Sequence, residues 1–254
     1  MLNFLDVYER VLKGPIMSEQ DFDMKVFIPA LRRVVKEYGI QYDKENPVPN
    51  DDVSADNLFD AAVDFLSQVG VYCQDTNRVI QFSKEEILDA VREAPGKCFA
   101  GEGKEAGVFR MRKPDEAKTP WLHVGSGIVA TSEELITNLI EGYASIAEVD
   151  SISISALDSI RGIPVMAGSP AELYAAIRGS KIGREALRRA GRLGLPIMNL
   201  ISTAAASVTT IAASAPQFGL RPTDGWLVGA ISEMKIDFGA MNKSAYLLNW
   251  GANV

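Results

Sequence analysis

The chain has 254 residues, 47% hydrophobic and 23% charged, with a formal net charge of −7. That size and balance suit one large domain or two small ones with a packed interior. The acidic balance argues against a nucleic-acid partner, which would require clustered Lys and Arg.

The first 95 residues read as mainly helical. Phe27, Leu31, Val34 and Val35 recur at helical spacing up to Gly39. Leu58, Ala61, Ala62, Phe65, Leu66 and Val69 give a second stripe, closed by Gly70. Val71-Tyr72-Cys73 and Arg78–Phe82 flank the polar Gln74-Asp75-Thr76-Asn77, which predicts a β-hairpin. Ser83-Lys84-Glu85-Glu86 has the form of a capping box, and Ile87, Leu88 and Val91 follow on one helical face. Pro95-Gly96 ends that helix.

From residue 97 the rhythm changes. Lys97–Ala100 and Val108–Met111 are short strand-like runs around Gly101-Glu102-Gly103. Strand-then-helix units follow. Trp121–Val124 predicts a strand with glycines at 125 and 127 behind it. Its helix opens at a second capping box, Thr131-Ser132-Glu133-Glu134. Ser151–Ala156 predicts the next strand. In its helix Ser169 is the cap, Pro170 takes the first helical position and Glu172 lies three residues past the cap. Pro196–Ile201 predicts a third strand, followed by a small apolar helix, Ala204–Ala213. Asp224–Phe238 reads as further helical turns, and Ser244–Trp250 as a fourth strand.

Repeated βα units imply parallel strands in sequential order, because parallel neighbours need crossovers. The expected fold class is therefore α/β. The βα repeats are of the (β/α)8 TIM-barrel type and incomplete on this chain, because a full barrel needs roughly 250 residues of repeats alone. The expected division is a helical N-terminal extension with a hairpin over residues 1–95 and the first half of a TIM-type barrel over 96–254. Half a barrel leaves open strand edges, which predicts self-association or pairing with a complementary half.

Chemistry is harder to read. Gly101–Gly107 has the spacing G-x-G-x-x-x-G with no Lys-Ser or Lys-Thr after it, so it is no phosphate loop. Cys73 and Cys98 form no CxxC pair and read as two buried thiols of a reducing, cytoplasmic compartment. No apolar run reaches membrane-spanning length, and no signal peptide opens the chain. The single histidine, His123, excludes a zinc site with several His ligands, and within Trp121–Val124 it reads as structural. No metal site is expected. Lys181, Arg184, Arg188, Arg189 and Arg192 read as a solvated helix surface, or else as a docking face for an acidic partner. The C-terminal ends of the strands are where α/β sites lie. Ser126 follows the first strand, Met198 and Asn199 lie in or at the end of the third, and Asn249 and Trp250 end the fourth. Those five are the candidate substrate-binding residues. No nucleophile with a base beside it stands out, so no catalytic residue is assigned.

Several stretches, in this order and spacing, carry a resemblance. They are Gly70–Thr76, Ile160-Arg161-Gly162, Ser169–Glu172 with Ala175-Ala176, Ala190–Gly194 and Ser232–Asp237. Together they resemble the monomethylamine:corrinoid methyltransferases of methylotrophic methanogens. The resemblance implies a TIM barrel that moves a methyl group from a methylated amine to the corrinoid (cobalamin) of a separate protein in methanogenesis, with no cofactor bound directly. It implies that a pyrrolysine stands in the pocket. Counted from Ala190–Gly194, that position falls on Met198, whose thioether cannot form an amine adduct. Members of that family also continue well past residue 254. By analogy with trimethylamine methyltransferase-like proteins that lack pyrrolysine and demethylate quaternary amines, the resemblance implies a quaternary amine rather than monomethylamine as the expected substrate. The alternative is a non-catalytic docking or assembly protein for the corrinoid protein.

Overall fold

A computed structural model describes residues 3–49, 51–198, 206–229 and 231–254. They form two compact units. The first comprises residues 1–95 with 112–118 and 229–238; the second comprises 96–111, 119–228 and 239–254.

In the first unit, α1 (Phe4–Lys13) starts at a reciprocal cap in which Asn3 and Asp6 each accept the other's backbone N–H at 3.0 Å. The short α2 (Glu19–Asp21) runs through a π-helical turn, Phe22–Phe27, into α3 (Ile28–Glu37). The π-turn seats Phe22 in the core, where its ring stacks on Tyr72 at 5.2 Å. Next come α4 (Asp52–Val69), the antiparallel pair β1 (Val71–Cys73) and β2 (Arg78–Ile80), and α5 (Lys84–Glu93). Gly70 holds φ +69°, and a Cβ there would lie 2.5 Å from the Ile80 carbonyl oxygen, so only glycine makes this exit from α4. Asn77 takes the left-handed position that turns the hairpin. The Ser83–Glu86 box forms as expected, and Glu86 also meets Arg10. A two-residue strand, Lys235–Ile236, pairs in parallel with β1.

In the second unit, β3 (Lys97–Ala100) and β4 (Gly107–Arg110) form an antiparallel hairpin. A parallel series follows. β5 (His123–Val124) pairs with β7 (Ser151–Ile152), and β6 (Val129–Ala130) pairs with β8 (Ala156–Leu157). Beyond them Ile152 bridges Ile197, Met198 bridges Gly225 and Gly225 bridges Asn253, all in parallel. The order across the sheet is thus the order along the chain. Between the strands lie α6 (Glu133–Ala144), α7 (Pro170–Arg189), α8 (Ser207–Ala213) and α9 (Phe238–Trp250). Ile152, Ile154, Ile197 and Trp226 pack with Ile136, Ile140 and Leu187 in one apolar core. Burying each such side chain is worth roughly 1.5–3 kcal/mol. A small hairpin, β9 (Ser159–Ile160) and β10 (Ile163–Pro164), extends the end of β8. Its turn residues Arg161 and Gly162 have φ +53° and +75°, as a two-residue hairpin requires.

Several expectations are corrected. Ser244–Trp250 is not a strand but the C-terminal half of α9, and the last parallel position falls on Asn253. Among the described residues, those from 224 to 237 are not helical, because Gly225 sits in the sheet and Lys235–Ile236 pairs with β1. The cap of α6 is Ser132, which accepts from Leu135 N, so no Glu stands at the third helical position to close a box. Ser169 caps α7 as expected, but the Glu172 carboxylate takes Gly168 N–H at 2.8 Å rather than that of the cap. The basic run is only partly solvated. Arg188 and Arg189 are exposed and paired with Glu185, whereas Arg184 and Arg192 turn inward to Asp224 and Glu105.

Candidate functional site

The strand pair β5–β6 against β7–β8 is interrupted in its middle. Four residues, 125–128, face three, 153–155, so the register slips by one across the gap. This is a β-bulge, a feature common beside binding sites. Gly125 makes it possible, because a Cβ there would fall 1.7 Å from the Ser153 hydroxyl oxygen. Within the gap the hydroxyls of Ser126 and Ser155 hydrogen-bond to each other. Beyond the gap Leu157, paired with Ala130, joins the helix-side core.

Strand alternation puts Ile152, Ile154 and Ile197 on the helix side and His123, Ser151, Ser153 and Met198 on the other face. That face begins polar. The buried Ser151 hydroxyl accepts the Trp121 indole N–H at 2.7 Å and lies 2.9 Å from His123 Nδ1. Trp121 can only donate, and the hydroxyl keeps its proton and a second lone pair, so it can pair with either tautomer of His123. Partial desolvation holds His123 below its ordinary pKa. It stands at the N-terminal start of β5, away from the C-terminal rim where the candidate residues were expected.

Met198 is half-buried. Its N–H donates to the Ile152 carbonyl at 2.7 Å, and its Cγ lies 3.0 Å from where a Cβ on Gly225 would sit. Gly225 thus leaves room for the thioether. Asn199 lies outside the described residues. The structure does not bring Asn249 and Trp250 to these positions. Both end α9, whose C-terminus leads into the strand position at 253, so they stand at the opposite end of the sheet. Asn249 is exposed and bonds back to the Ala245 carbonyl at 2.7 Å, while Trp250 packs edge-on against Trp226 at 5.2 Å.

Sequence reasoning missed the strut below Met198. The fully buried Asp224 accepts two bonds from Arg184 at 2.8 and 2.7 Å, Ile197 N–H at 2.9 Å and Arg221 N–H at 2.8 Å. Burial lowers the Arg184 pKa and the carboxylate opposes that shift. The strut fixes the third and fourth parallel positions against α7. Its sequence signal was Arg221-Pro222-Thr223-Asp224-Gly225, which reads as a turn. A groove of about 1570 Å³ was missed as well; it lies between the β9–β10 hairpin and α7, among Ile160, Ile163, Met166, Tyr174 and Phe218. Among the described residues no group of three or more His, Cys, Asp or Glu could hold a metal ion. Among the same residues no helix is long and apolar enough to cross a membrane.

The family model of monomethylamine methyltransferase MtmB matches residues 2–254. The chain belongs to the MtmB family. A monomethylamine methyltransferase MtmB2 of Methanosarcina acetivorans is 29% identical over 249 residues, 98% of this chain and 53% of the relative. The MtmB of Methanosarcina mazei is 30% identical over 237 residues, 93% of this chain and 51% of the relative. The crystal structure of Methanosarcina barkeri MtmB superposes with a TM-score of 0.89 at 28% identity, covering 98% of this chain and 54% of that one. A hydroxylamine complex of MtmB gives the same score and coverage. The chain spans about half the length of the MtmB relatives it matches.

Proposed function

We propose that this chain serves methyl transfer from a methylated amine to a corrinoid carried by a partner protein in the cytoplasm. The carrying observation is the MtmB match over residues 2–254, joined to a sequential parallel sheet that superposes on half of a solved MtmB. The sheet is the arc of a TIM-type barrel, completed by a complementary half or a further copy. The parallel repeats begin at His123, after the β3–β4 hairpin.

The substrate is a quaternary amine. Met198, in the pocket position that the family resemblance implies for pyrrolysine, carries a thioether that forms no adduct with an amine. A quaternary nitrogen already bears the positive charge, so its methyl group would pass formally as CH3+ to the partner's Co(I) corrinoid, which would supply the electron pair of the new bond, and the C–N pair would stay on a neutral tertiary amine. That departure needs no electrophile from the protein. Met198 and Ser126 border the substrate, and the polarizable sulfur suits contact with a cationic methyl group. The chain's one histidine is engaged with Ser151 at the far end of β5, in keeping with a corrinoid held by the partner.

The test is methyl transfer to a Co(I) corrinoid protein, followed by its absorption spectrum, with the complementary half added. A quaternary amine methylates the corrinoid and monomethylamine does not. Transfer from monomethylamine with Met198 confirmed would overturn the substrate assignment. A second reading is a non-catalytic docking protein for the corrinoid protein, favoured by the thioether at 198. It is the result if no methylated amine reacts and the chain still binds the corrinoid protein.

A further inference from the structure

Two uncovered surfaces on this chain are complementary. One is the groove beside α7. Ile163, Met166 and Tyr174 on it are 59%, 68% and 68% exposed, an apolar patch of a kind that marks contact surfaces. Of the cations on it, Arg178 is held by Glu133 at 2.7 Å. Arg161, at the hairpin turn, meets no carboxylate among the described residues, nor does Lys181, whose ammonium lies over the Phe218 ring at 5.4 Å.

The other surface is the start of α4. Every residue from 51 to 60 is exposed, on all sides of the helix. Such a helix end is ordinarily polar throughout, yet Val53 is 80%, Leu58 55% and Phe59 42% exposed. Val53, Asp56, Phe59 and Asp60 are three and four residues apart and share one face. Asp51 is occupied in capping Ser54 N, and Asp52 in an ion pair with Lys113. Asp56 lies near enough to Lys113 to act on its charge, but the side chains of Asp56 and Asp60, one turn apart, make no ion pair or hydrogen bond among the described residues.

We infer that the α4 face of one copy docks in the α7 groove of a second copy, with Asp56 and Asp60 meeting Arg161 and Lys181. Val53 and Phe59 cover the exposed Ile163, Met166 and Tyr174. Both surfaces lack what the other supplies: the groove needs two carboxylates flanked by apolar groups, and α4 needs a cationic apolar seat. Because the two patches differ, the contact is head-to-tail, and it builds a ring or an open chain of copies rather than a two-fold dimer.

The experiment uses the whole chain and measures molar mass by sedimentation equilibrium over a concentration and salt series. Two variants reverse charge on one side each, Asp56→Lys with Asp60→Lys, and Arg161→Glu with Lys181→Glu. All four positions are exposed, and far-UV circular dichroism confirms that the variants are folded. The unsubstituted chain is expected to exceed the mass of one copy, and each variant to weaken self-association on the order of ten-fold or more. An equimolar mixture of the two variants should regain assembly in alternation, since basic α4 meets acidic groove at one contact and the unsubstituted α4 meets the unsubstituted groove at the next. A chain that stays single at every concentration would overturn the inference, including one whose groove takes an acidic peptide of another protein. So would reversals without effect, or a mixture in which the variants ignore each other.

Discussion

Replacing Asp224 by Asn tests the strut on which the third and fourth strands rest. The carboxylate is fully buried and takes two bonds from Arg184, whose side chain is 11% exposed. Arg184 also donates to the Gly219 carbonyl at 2.8 Å and the Leu195 carbonyl at 3.0 Å, so it is held in place when its partner changes. Asn keeps the shape, removes the negative charge and turns one acceptor into a donor aimed at the Arg184 or Arg221 N–H groups. Leaving a buried charge without its partner costs about 3–5 kcal/mol. Domain stabilities run roughly 5–15 kcal/mol, so this is a large share of the total. The chain has three tryptophans, and Trp121, Trp226 and Trp250 all belong to the second unit. Urea unfolding followed by tryptophan fluorescence therefore reports this unit selectively. The joint change Arg184→Met with Asp224→Leu removes both charges and should cost less than D224N alone. A loss below about 1 kcal/mol for D224N, the range of exposed pairs, would refute the reasoning.

Other outcomes follow from single features. Gly125→Ala should cost about 1–3 kcal/mol by overpacking on Ser153, and adding Ser153→Ala should recover most of it; purely additive losses would contradict the close approach. His123 gives the only histidine ring signals in a proton NMR titration. Its midpoint should fall below the ordinary value near 6.5. The unfolded chain then binds the proton more readily, so this stability contribution is present above that value and is lost as pH falls through the window below it. A midpoint at or above the ordinary value would count against the buried Ser151 contact. Glu86, pulled down to about 2 by Arg10 and the Ser83 N–H, contributes stability above the ordinary Glu value that is lost as pH falls toward 2. Glu86→Gln should flatten that acid limb, and Ser83→Ala should cost about 1 kcal/mol as a lost cap.

Where local chemistry decides an element, the sequence was readable. Ser83 and Glu86, Ser169 and Pro170, and the Gly70 exit from α4 each satisfy backbone groups within a few residues, and each appears where expected. Where distant neighbours decide, it was not. Ser-Ala-Tyr-Leu-Leu-Asn-Trp at 244–250 is a short apolar run that suits a strand or a buried helix equally. The choice falls to helix because α9 begins six residues earlier, at Phe238. Gly225 is a strand position only because Met198 and Asn253 lie on either side of it. The candidate site divides the same way. Ser126 was legible through the glycines around it, whereas its partner Ser155 follows from a register slip that no local pattern announces. Asn249 and Trp250 were assigned to the wrong end of the sheet because α9 was read as a strand. The inward turn of Arg184 was hidden, since a basic residue on a helix gives no local sign of a carboxylate forty residues away.

The slip between residues 125–128 and 153–155 also sets a parity. Side chains along a strand alternate, so inserting one residue before the gap, or removing one inside it, exchanges the two faces of everything beyond. Leu157 would then leave the core for Ala156, and the hairpin 159–164 would be rotated to the opposite side with Arg161 at its tip. The direction in which that hairpin points is therefore a matter of counting as well as of packing. Substitutions inside the gap can be absorbed locally. Single-residue insertions or deletions there should be far less tolerated than pairs of them, and indel scanning across residues 153–155, on the strand that leads to Leu157 and the hairpin, would read that odd–even pattern directly.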